Sequence, residues 1–278
     1  MRLNKYISHN TKYSRREADR LIEAGEVSIN KQTIHQFSYE VTPEDHVFIK
    51  GKRIKQKGEH DVTVIVYNKP KGVLVTKKDD RGRATIYHKL SGKFRHFVPV
   101  GRLDYASEGL LLLTDNMDVA STLMESQLDR TYNIKIDKPL TKEMVEAMKE
   151  GLVLDDARAG AHEKSKIYAM EFAPFVSFEI RSKGKNFTKL RVTINEGKNR
   201  ELRRFFAHFD AKVLDLKRVA FGGIQLNNLP TNKSRFFSKR EYDDLHQFMK
   251  QMKKQKVIDA KNAKNHAIQA LKKEDSHS

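Results

Sequence analysis

The sequence contains no cysteine. This excludes disulfide bonds, thiolate zinc sites and catalysis by a thiol. The 11 histidines are scattered along the chain, without the close spacing that metal ligands usually show. The simplest interpretation is a protein that needs no structural metal.

Long apolar runs are also missing. No uninterrupted apolar stretch is long enough to cross a bilayer, and the first residues, MRLNKYISHNTKYSRRE, lack the apolar segment of a secretory signal. The phosphate-binding loops G-x-x-x-x-G-K-[ST] and G-x-G-x-x-G do not occur. We therefore expect a soluble cytoplasmic protein without either of these loops.

Positive charge, by contrast, is abundant. The 278 residues include 54 Lys and Arg against 36 Asp and Glu, a net charge of +18. This excess predicts a polyanionic partner, with nucleic acid as the first candidate and an anionic membrane surface as the second. The membrane is poorly supported because we find no long amphipathic helix with an aromatic face. A hydrophobic content of 38%, with 15 Phe, is enough for a substantial core.

The N-terminal 50 residues begin with a helical pattern. Ser14-Arg15-Arg16-Glu17 forms a capping box, in which Ser14 caps a helix and Glu17 reaches back to it. Three arginines, Arg15, Arg16 and Arg20, follow on this helix, and the last two are four residues apart and share a face. They are either ordinary surface arginines or a phosphate-binding face, and we favour the second interpretation.

Beyond a polar, basic linker at residues 51–61, strands and helices are mixed without a regular βαβ rhythm, which favours an α+β fold over a doubly wound parallel sheet. Helices are predicted at 118–126, 141–150 and 200–209. The predicted strands are Val62–Tyr67, Leu110–Thr114, Tyr132–Ile136, Glu171–Ile180 and Leu190–Ile194.

The C-terminal part starts with a second capping box, Ser238-Lys239-Arg240-Glu241, and an apolar stripe at helical spacing that we interpret as core packing. The stripe consists of Leu245, Phe248, Met249 and Met252. Residues 250–278 hold eight lysines and three acids and few large apolar side chains. This composition predicts a solvated tail that is loosely helical or disordered.

The most informative stretch is GRLDYASEGLLLLT, residues 101–114. It sets one carboxylate, Asp104, on a turn immediately before a short apolar run that is typical of a buried strand. A rigid strand that positions an acidic loop is a common way to build a catalytic site.

Two further stretches accompany it. In Tyr67-Asn68-Lys69-Pro70-Lys71-Gly72, Pro70 and Gly72 predict a tight basic turn after a strand. In residues 193–206, TINEGKNRELRRFF, a strand runs into a glycine turn and a helix with an apolar face. Arg200 and Arg204 are predicted opposite that face, and Arg203 lies at its border.

A half-buried Arg203 needs an acidic partner that nothing nearby on its face supplies, so we consider the distant Asp104 as the candidate. Alternatively, Arg203 faces solvent or an RNA phosphate.

Taken together, these motifs resemble known families. The N-terminal pattern, from Arg2-Leu3-x-Lys5-Tyr6-Ile7 to Gly25-x-Val27-x-Ile29-Asn30, resembles the S-four-like (α-L) RNA-binding domain, with a departure at Lys31-Gln32, where a turn glycine is usual. NKPKGVLVT, PVGRLDYASEGLLLLT and TINEGKNRELRRF resemble, in this order, the motifs of pseudouridine synthases of the RsuA/RluB type. The resemblance spans about residues 1–235.

The resemblance implies a small RNA-binding domain at residues 1–50, the linker at 51–61, a mainly antiparallel catalytic domain flanked by helices at 62–249, and the basic tail at 250–278. Asp104 matches the catalytic aspartate, Tyr132 the tyrosine that stacks on the target base, and Arg203 the arginine paired with the aspartate. Arg130 stands where the family commonly has lysine. The expected substrate or RNA contacts are Lys69, Arg102, Arg130, Arg200, Leu202, Arg15, Arg16 and Arg20.

The implied reaction detaches uracil from its ribose, turns it and rejoins it through carbon. A carboxylate is a suitable nucleophile or base, and an adjacent guanidinium keeps it ionised at neutral pH. The target base must be flipped out of its helix, and an aromatic platform offsets part of the unstacking cost. No metal or organic cofactor is called for. Asp104 could attack the anomeric carbon, attack the ring or abstract a sugar proton.

The expected partner is ribosomal RNA, most simply 23S rRNA near the peptidyl-transferase region, because a complete RNA-binding domain with a basic tail resembles the large-subunit enzymes. The alternatives are a 16S rRNA synthase and a non-catalytic RNA-binding or ribosome-assembly factor. A monomer is the default expectation.

Overall fold

A computed structural model describes residues 1–11, 13–55 and 62–275. The chain divides into two compact units, Met1–Arg235 and a second unit that begins at Phe236. No helix in these described ranges is both long and apolar enough to span a membrane.

The first unit opens with two helices and a small antiparallel sheet. The helices are α1 (Leu3–Asn10) and α2 (Arg15–Glu23). The sheet has the order β2-β1-β3-β4, with β1 at Val27–Ile29, β2 at Gln32–Thr33, β3 at Val47–Ile49 and β4 at Lys52–Arg53. The predicted capping box is confirmed: the Ser14 hydroxyl accepts from Glu17 N at 3.3 Å, and Ser14 N donates to the Glu17 carboxylate at 2.7 Å.

The turn between β1 and β2 lies where the sequence departs from the glycine usual in this type of domain. Asn30 and Lys31 both have left-handed backbone angles, with φ of 50° and 74°, which suits a two-residue hairpin. A lysine therefore occupies a conformation that glycine adopts more readily.

The segment predicted as a linker contributes its first residues to this sheet. Gly51 lies in the turn before β4, β4 pairs with β3, and Ile54 is 8% exposed in the same core cluster. The linker prediction therefore starts too early. Residues 56–61 lie outside the described residues.

The larger sheet of the first unit is mixed but mainly antiparallel. Its main path has the order β11-β12-β8-β13-β7-β5-β15, with β14 paired to β13 and β6 paired to β7. The strands are β5 (Val64–Lys69), β6 (Val98–Pro99), β7 (Glu108–Thr114), β8 (Arg130–Ile136), β11 (Ser177–Gly184), β12 (Phe187–Ile194), β13 (Val213–Phe221), β14 (Ile224–Gln225) and β15 (Ser234–Phe236). Only the β13–β7 pairing is parallel among the described strand pairs of this sheet.

A separate two-stranded ladder and four helices complete this part. The ladder pairs β9 (Leu152–Leu154) with β10 (Met170–Phe172). The helices are α3 (Ile86–Lys89), α4 (Met117–Glu125), α5 (Lys142–Glu150) and α6 (Glu201–His208), and a 3₁₀ turn occupies Gly92–Phe94. The predicted α+β class and the three predicted helices of this unit are confirmed, each to within a residue or two.

Two strand predictions need correction. The run predicted as one strand at Glu171–Ile180 is two strands, β10 and β11, with Pro174 between them, because proline cannot donate to a sheet ladder. Strand β13 was missed altogether, although it lies between β8 and β7 in the sheet.

The second unit contains one long helix, α7 (Lys239–Asp275). Its predicted capping box is present, with the Ser238 hydroxyl accepting from Glu241 N at 3.3 Å and Ser238 N donating to the Glu241 carboxylate at 2.7 Å. In the predicted apolar stripe Leu245 is buried, and Phe248, Met249 and Met252 are half-buried. The helical alternative for the tail therefore holds through Asp275.

Candidate active site

The loop that carries Asp104 is held at each of its backbone carbonyls. Asp104 O accepts from Ser107 N at 3.0 Å and from the Lys69 ammonium at 3.1 Å. Tyr105 O accepts from Gly72 N at 2.8 Å. Ala106 O and Ser107 O are bonded by Arg203 and Lys69, at 3.2 and 2.8 Å. Four successive carbonyls are thus fixed, and the Asp104 backbone is held in one place.

Lys69 is the buried centre of this arrangement. It ends β5, is 0% exposed, and its ammonium also donates to Pro70 O at 3.0 Å. Burial lowers the pKa of this ammonium from 10.5 to about 8, and the nearby Asp104 carboxylate opposes that shift. We predicted Lys69 as a substrate or RNA contact, in a motif that helps to shape the site. Its ammonium is buried and directed at carbonyls of the loop, so it shapes the site from beneath instead of presenting its charge to RNA.

Gly109 lets two strands approach closely just after the loop. Its φ is +105°, and a Cβ built there would lie 2.1 Å from Arg218 O on β13. The parallel β13–β7 pairing at this point therefore requires glycine. This close contact fixes the point at which the Asp104 loop joins strand β7.

Two arginines flank the Asp104 carboxylate. Arg203 Nε lies 3.7 Å and Arg200 Nη1 3.5 Å from Asp104 Oδ2. The structure thus brings Arg203 to the distant carboxylate that the sequence required. Asp104 itself is 33% exposed, whereas the Arg203 side chain is 10% exposed.

Both arginines are anchored by backbone carbonyls. Arg203 donates to Val213 O at 3.1 Å as well as to Ala106 O, and burial lowers the pKa of its guanidinium. Arg200 donates from Nε to Gly160 O at 2.7 Å. Arg200 also has a left-handed backbone, with φ of 52°, at the N-cap of α6, a sparsely populated conformation that is often found at functional sites.

An open cleft of about 1000 Å³ lies over this carboxylate. Tyr132 on β8 is 7% exposed and Leu202 on α6 is 3% exposed, and both line the cleft together with Asp104. Arg102 is exposed at its edge. The cleft therefore combines an apolar and aromatic wall with several cations and with the carboxyl groups of Asp79, Asp104 and Glu201, a mixture that suits a flat polar base.

Arg130 also lines the cleft but is mostly buried. It is 7% exposed, and its Nη1 donates to Leu128 O at 2.7 Å and to Asn195 O at 3.0 Å. Burial lowers the pKa of its guanidinium. The bond to Asn195 O joins the start of β8 to the residue that follows β12.

Arg204 is buried, contrary to the prediction from helical periodicity. We predicted it opposite the apolar face, yet it is 0% exposed. Its guanidinium donates to Asn199 O, Ala157 O, Ile167 O and the Ser165 hydroxyl. The loop between β9 and β10 folds over the helix and covers Arg204, a contact that the helix sequence alone does not indicate.

The three N-terminal arginines lie apart from the cleft-lining residues. Arg15, Arg16 and Arg20 are all exposed on α2. Lys12, just before them, lies outside the described residues. No group of three or more acidic or histidine side chains able to hold a metal occurs in the described part of the chain.

Comparison with known proteins decides the family. The sequence pattern of the RNA pseudouridylate synthase family matches residues 63–208, and that of the S4 domain matches residues 1–47. An RNA pseudouridine synthase of Helicobacter pylori (strain ATCC 700392 / 26695) is 51% identical over 249 residues, covering 90% of this chain and 95% of the relative. The chain belongs to the RNA pseudouridylate synthase family.

Other proteins agree with this. Ribosomal large subunit pseudouridine synthase B of Bacillus subtilis (strain 168) is 31% identical over 242 residues, covering 86% of this chain and 93% of the relative. A crystal structure of a pseudouridylate synthase shares the fold, with a TM-score of 0.59 at 24% identity, covering 88% of this chain and 99% of that one. The predicted family, its S4 domain and its isomerase activity on RNA are confirmed.

Glu201 provides a test of burial in the site. This cleft-lining carboxyl is 6% exposed and accepts from Lys198 N at 2.9 Å, and burial raises its pKa from 4.5 to about 7. A raised folded-state pKa stabilises the fold below pH 4.5, and this contribution is lost as the pH rises through 7. Glu201→Gln keeps the acceptor without the charge. As the pH rises from 4.5 to above 7, we expect the free energy of unfolding of the wild type to decrease by about 3 kcal/mol relative to that of Glu201→Gln.

Urea unfolding at several pH values measures this difference. The exposed Glu163 is the matched control, and Glu163→Gln should track the wild type at every pH. A constant difference between wild type and Glu201→Gln from pH 4.5 to 8 would contradict the burial of an ionisable Glu201.

Proposed function

We propose that this RNA pseudouridine synthase isomerises a specific uridine in 23S rRNA, with Asp104 as its catalytic carboxylate. The supporting observation is the position of Asp104: its carboxylate is partly open to the cleft and flanked by two guanidinium groups, while its backbone is fixed by four bonded carbonyls. A preorganised charge of this kind is what a nucleophile or base requires.

The chemistry follows from the neighbouring groups. Arg200 and Arg203 place two positive charges beside the Asp104 carboxylate, at 3.5 and 3.7 Å from Asp104 Oδ2, and so orient it towards the cleft. The ring of Tyr132 provides a stacking surface for a flipped uracil, with Leu202 beside it in the cleft wall. Tyr132 and Leu202 give the floor of the cleft a buried apolar surface, which limits the contact of a detached base with water until it rejoins the sugar through carbon.

The proposed 23S target rests on two supports. One is the similarity to the Bacillus subtilis relative, ribosomal large subunit pseudouridine synthase B. The other is the charge of +18, which suits a long RNA partner. A ribosomal RNA substrate places the enzyme in the cytoplasm, and we expect it to act as a monomer.

The first test removes the charge of Asp104. Asp104→Asn keeps the size of the side chain but provides neither a nucleophile nor a base, so pseudouridine at the target should fall below detection. The measurement is pseudouridine mapping across 23S and 16S rRNA from cells whose only copy is the variant. The control is Asp210→Asn, at a residue that is 97% exposed with a φ of 54° that asparagine tolerates.

Unchanged pseudouridine in the Asp104→Asn cells would refute the role of this carboxylate. A site missing from 16S rRNA instead of 23S rRNA would refute the proposed target while leaving the activity intact.

We further propose that Arg15, Arg16 and Arg20 bind RNA phosphates. All three side chains are exposed on α2, and each phosphate contact adds about 0.7 to 0.9 to the slope of log affinity against log salt. The triple alanine variant should therefore weaken binding to 23S rRNA and reduce this slope by about 2 to 3. Filter binding over a salt series measures both quantities.

A second triple variant controls for the loss of net charge. Lys89, Lys142 and Lys149 are exposed and lie outside the S4 domain. Their replacement by alanine removes the same three charges and should change the slope much less. Equal slopes for the two triple variants would contradict a specific phosphate-binding face on α2.

A further inference from the structure

Arg218 is a buried arginine that lines the cleft and takes no part in the proposed arrangement around Asp104. It lies on β13, is 4% exposed and lines the cleft. In the sheet register it is paired directly with Tyr132 on β8. Its side chain is therefore next to the proposed stacking surface for the base, at the floor of the cleft.

The hydrogen bonds of Arg218 are incomplete. Its Nε donates to Leu110 O at 2.8 Å, while its Nη2 is buried and finds no hydrogen-bond partner among the described residues. Arg204, by comparison, bonds with all three of its guanidinium nitrogens. A buried donor without a partner costs free energy in the free protein, so a ligand that supplies an acceptor at this place gains that bond on binding.

The charge of Arg218 is also uncompensated. None of the described carboxylates forms a salt bridge with it, whereas Asp104 has both Arg200 and Arg203. Its guanidinium lies 5.3 Å from the ring centre of Phe221, and that of Arg130 lies 5.1 Å from the same ring. This end of the cleft therefore holds two close buried cations. The Glu201 carboxyl interacts with Arg130, so it is the position of Arg218 that favours a group that is negative or becomes negative.

The reaction generates such a group. When the bond between N1 of uracil and C1′ of ribose breaks, its electron pair stays on the ring and the negative charge spreads to the carbonyl oxygens. If Asp104 instead adds to C6 of the ring, the charge again moves to a carbonyl oxygen. Each of the routes open to Asp104 thus places negative charge on the base before it is rejoined.

We propose that Arg218 is a catalytic residue that donates a hydrogen bond to a carbonyl oxygen of the target uracil and stabilises the negative charge on the detached ring. The C5–C1′ bond then forms from the ring electrons, the proton on C5 leaves, and N1 gains a proton. If Asp104 attacked C1′ or C6, its ester bond to that carbon breaks and frees the carboxylate; if it took a sugar proton, that proton returns to the sugar. The product is therefore an isomer of the substrate. This inference rests on the proposed function.

A phosphodiester is the less suitable partner for Arg218. The residue lies at the buried floor beside Tyr132, where a flat base can enter after flipping. RNA phosphates stay hydrated on the backbone, and the exposed Arg102 at the cleft edge offers them a more accessible cation.

The test compares Arg218→Gln and Arg218→Lys with the wild type on 23S rRNA from a strain that lacks the gene. We expect the single-turnover rate constant for pseudouridine formation at saturating enzyme to fall by about 10²- to 10³-fold in Arg218→Gln, as on loss of one charge-stabilising donor, and by less in Arg218→Lys. The dissociation constant for the RNA and its salt slope should stay within two-fold of the wild type. Lys217→Gln, at the adjacent position of the same strand, lines a different pocket and is the control with the same loss of charge.

A second substrate separates chemistry from structure. RNA transcribed with 5-fluorouridine carries a fluorine that itself stabilises the detached ring anion, and consumption of the nucleoside reports bond cleavage. The defect of Arg218→Lys should therefore be smaller on this RNA than on normal RNA. An equal defect on both RNAs would show a structural role and overturn the proposal, as would a full rate in Arg218→Gln.

A weaker RNA affinity with a reduced salt slope and a full rate at saturation would identify a phosphate contact, which also overturns the proposal. A wild-type protein that forms no pseudouridine would overturn the proposed function and this inference together. Activity in the wild type with unchanged rates in both Arg218 variants would overturn the inference alone.

Discussion

The structure of the site depends on the hydrogen bonds that hold the carbonyls of residues 104 to 107. A loop of this length would ordinarily sample several conformations, and a carboxylate displaced by about 1 Å loses much of its catalytic effect. Here Lys69 bonds the first and last of these carbonyls, Gly72 N the second and Arg203 the third. The loop is thus connected to β5 on one side and to α6 on the other, and the position of Asp104 follows from these two rigid elements.

The arrangement uses buried cations in two different ways. Lys69 and Arg204 are fully buried and directed mainly at carbonyl oxygens of loops, so they determine backbone shape. Arg203 serves both purposes, because it bonds the Asp104 loop and lies beside the Asp104 carboxylate. Among the described residues, Arg218 has one backbone hydrogen bond, from its Nε, and its Nη2 is the donor that we propose for the substrate.

The sequence predicts the residues that carry the chemistry of the site better than the buried residues that hold them in place. Asp104 was predicted from a carboxylate before an apolar strand, and its link to Arg203 from the need of a half-buried guanidinium for an acid. Helix bounds were predicted closely because capping residues mark them. These are local signals, which a single stretch of sequence contains.

The buried residues that hold the site in place act through contacts between segments that are distant in the sequence. No single stretch of sequence indicates such contacts. Arg204 was predicted to face outward because the helix was considered without the loop that covers it. Lys69 was predicted among the substrate or RNA contacts from the resemblance of its motif, whereas the loop carbonyls that it bonds lie 35 and 38 residues further along the chain. Arg218 was missed with its strand, β13, and a positively charged segment that alternates little gives a weak strand signal.

The central claim is that a buried lysine holds the catalytic loop, and Lys69→Met tests it most directly. This variant keeps an unbranched side chain that is one atom shorter and removes all three donors. The control is Lys71→Met, two residues away, at a side chain that is 42% exposed. The measurement is the single-turnover rate constant for pseudouridine formation at saturating enzyme, with folding checked by circular dichroism. The account predicts a loss of at least about 100-fold, as expected for a misplaced catalytic group, in folded Lys69→Met and little change in the control; a folded Lys69→Met with the wild-type rate would contradict it.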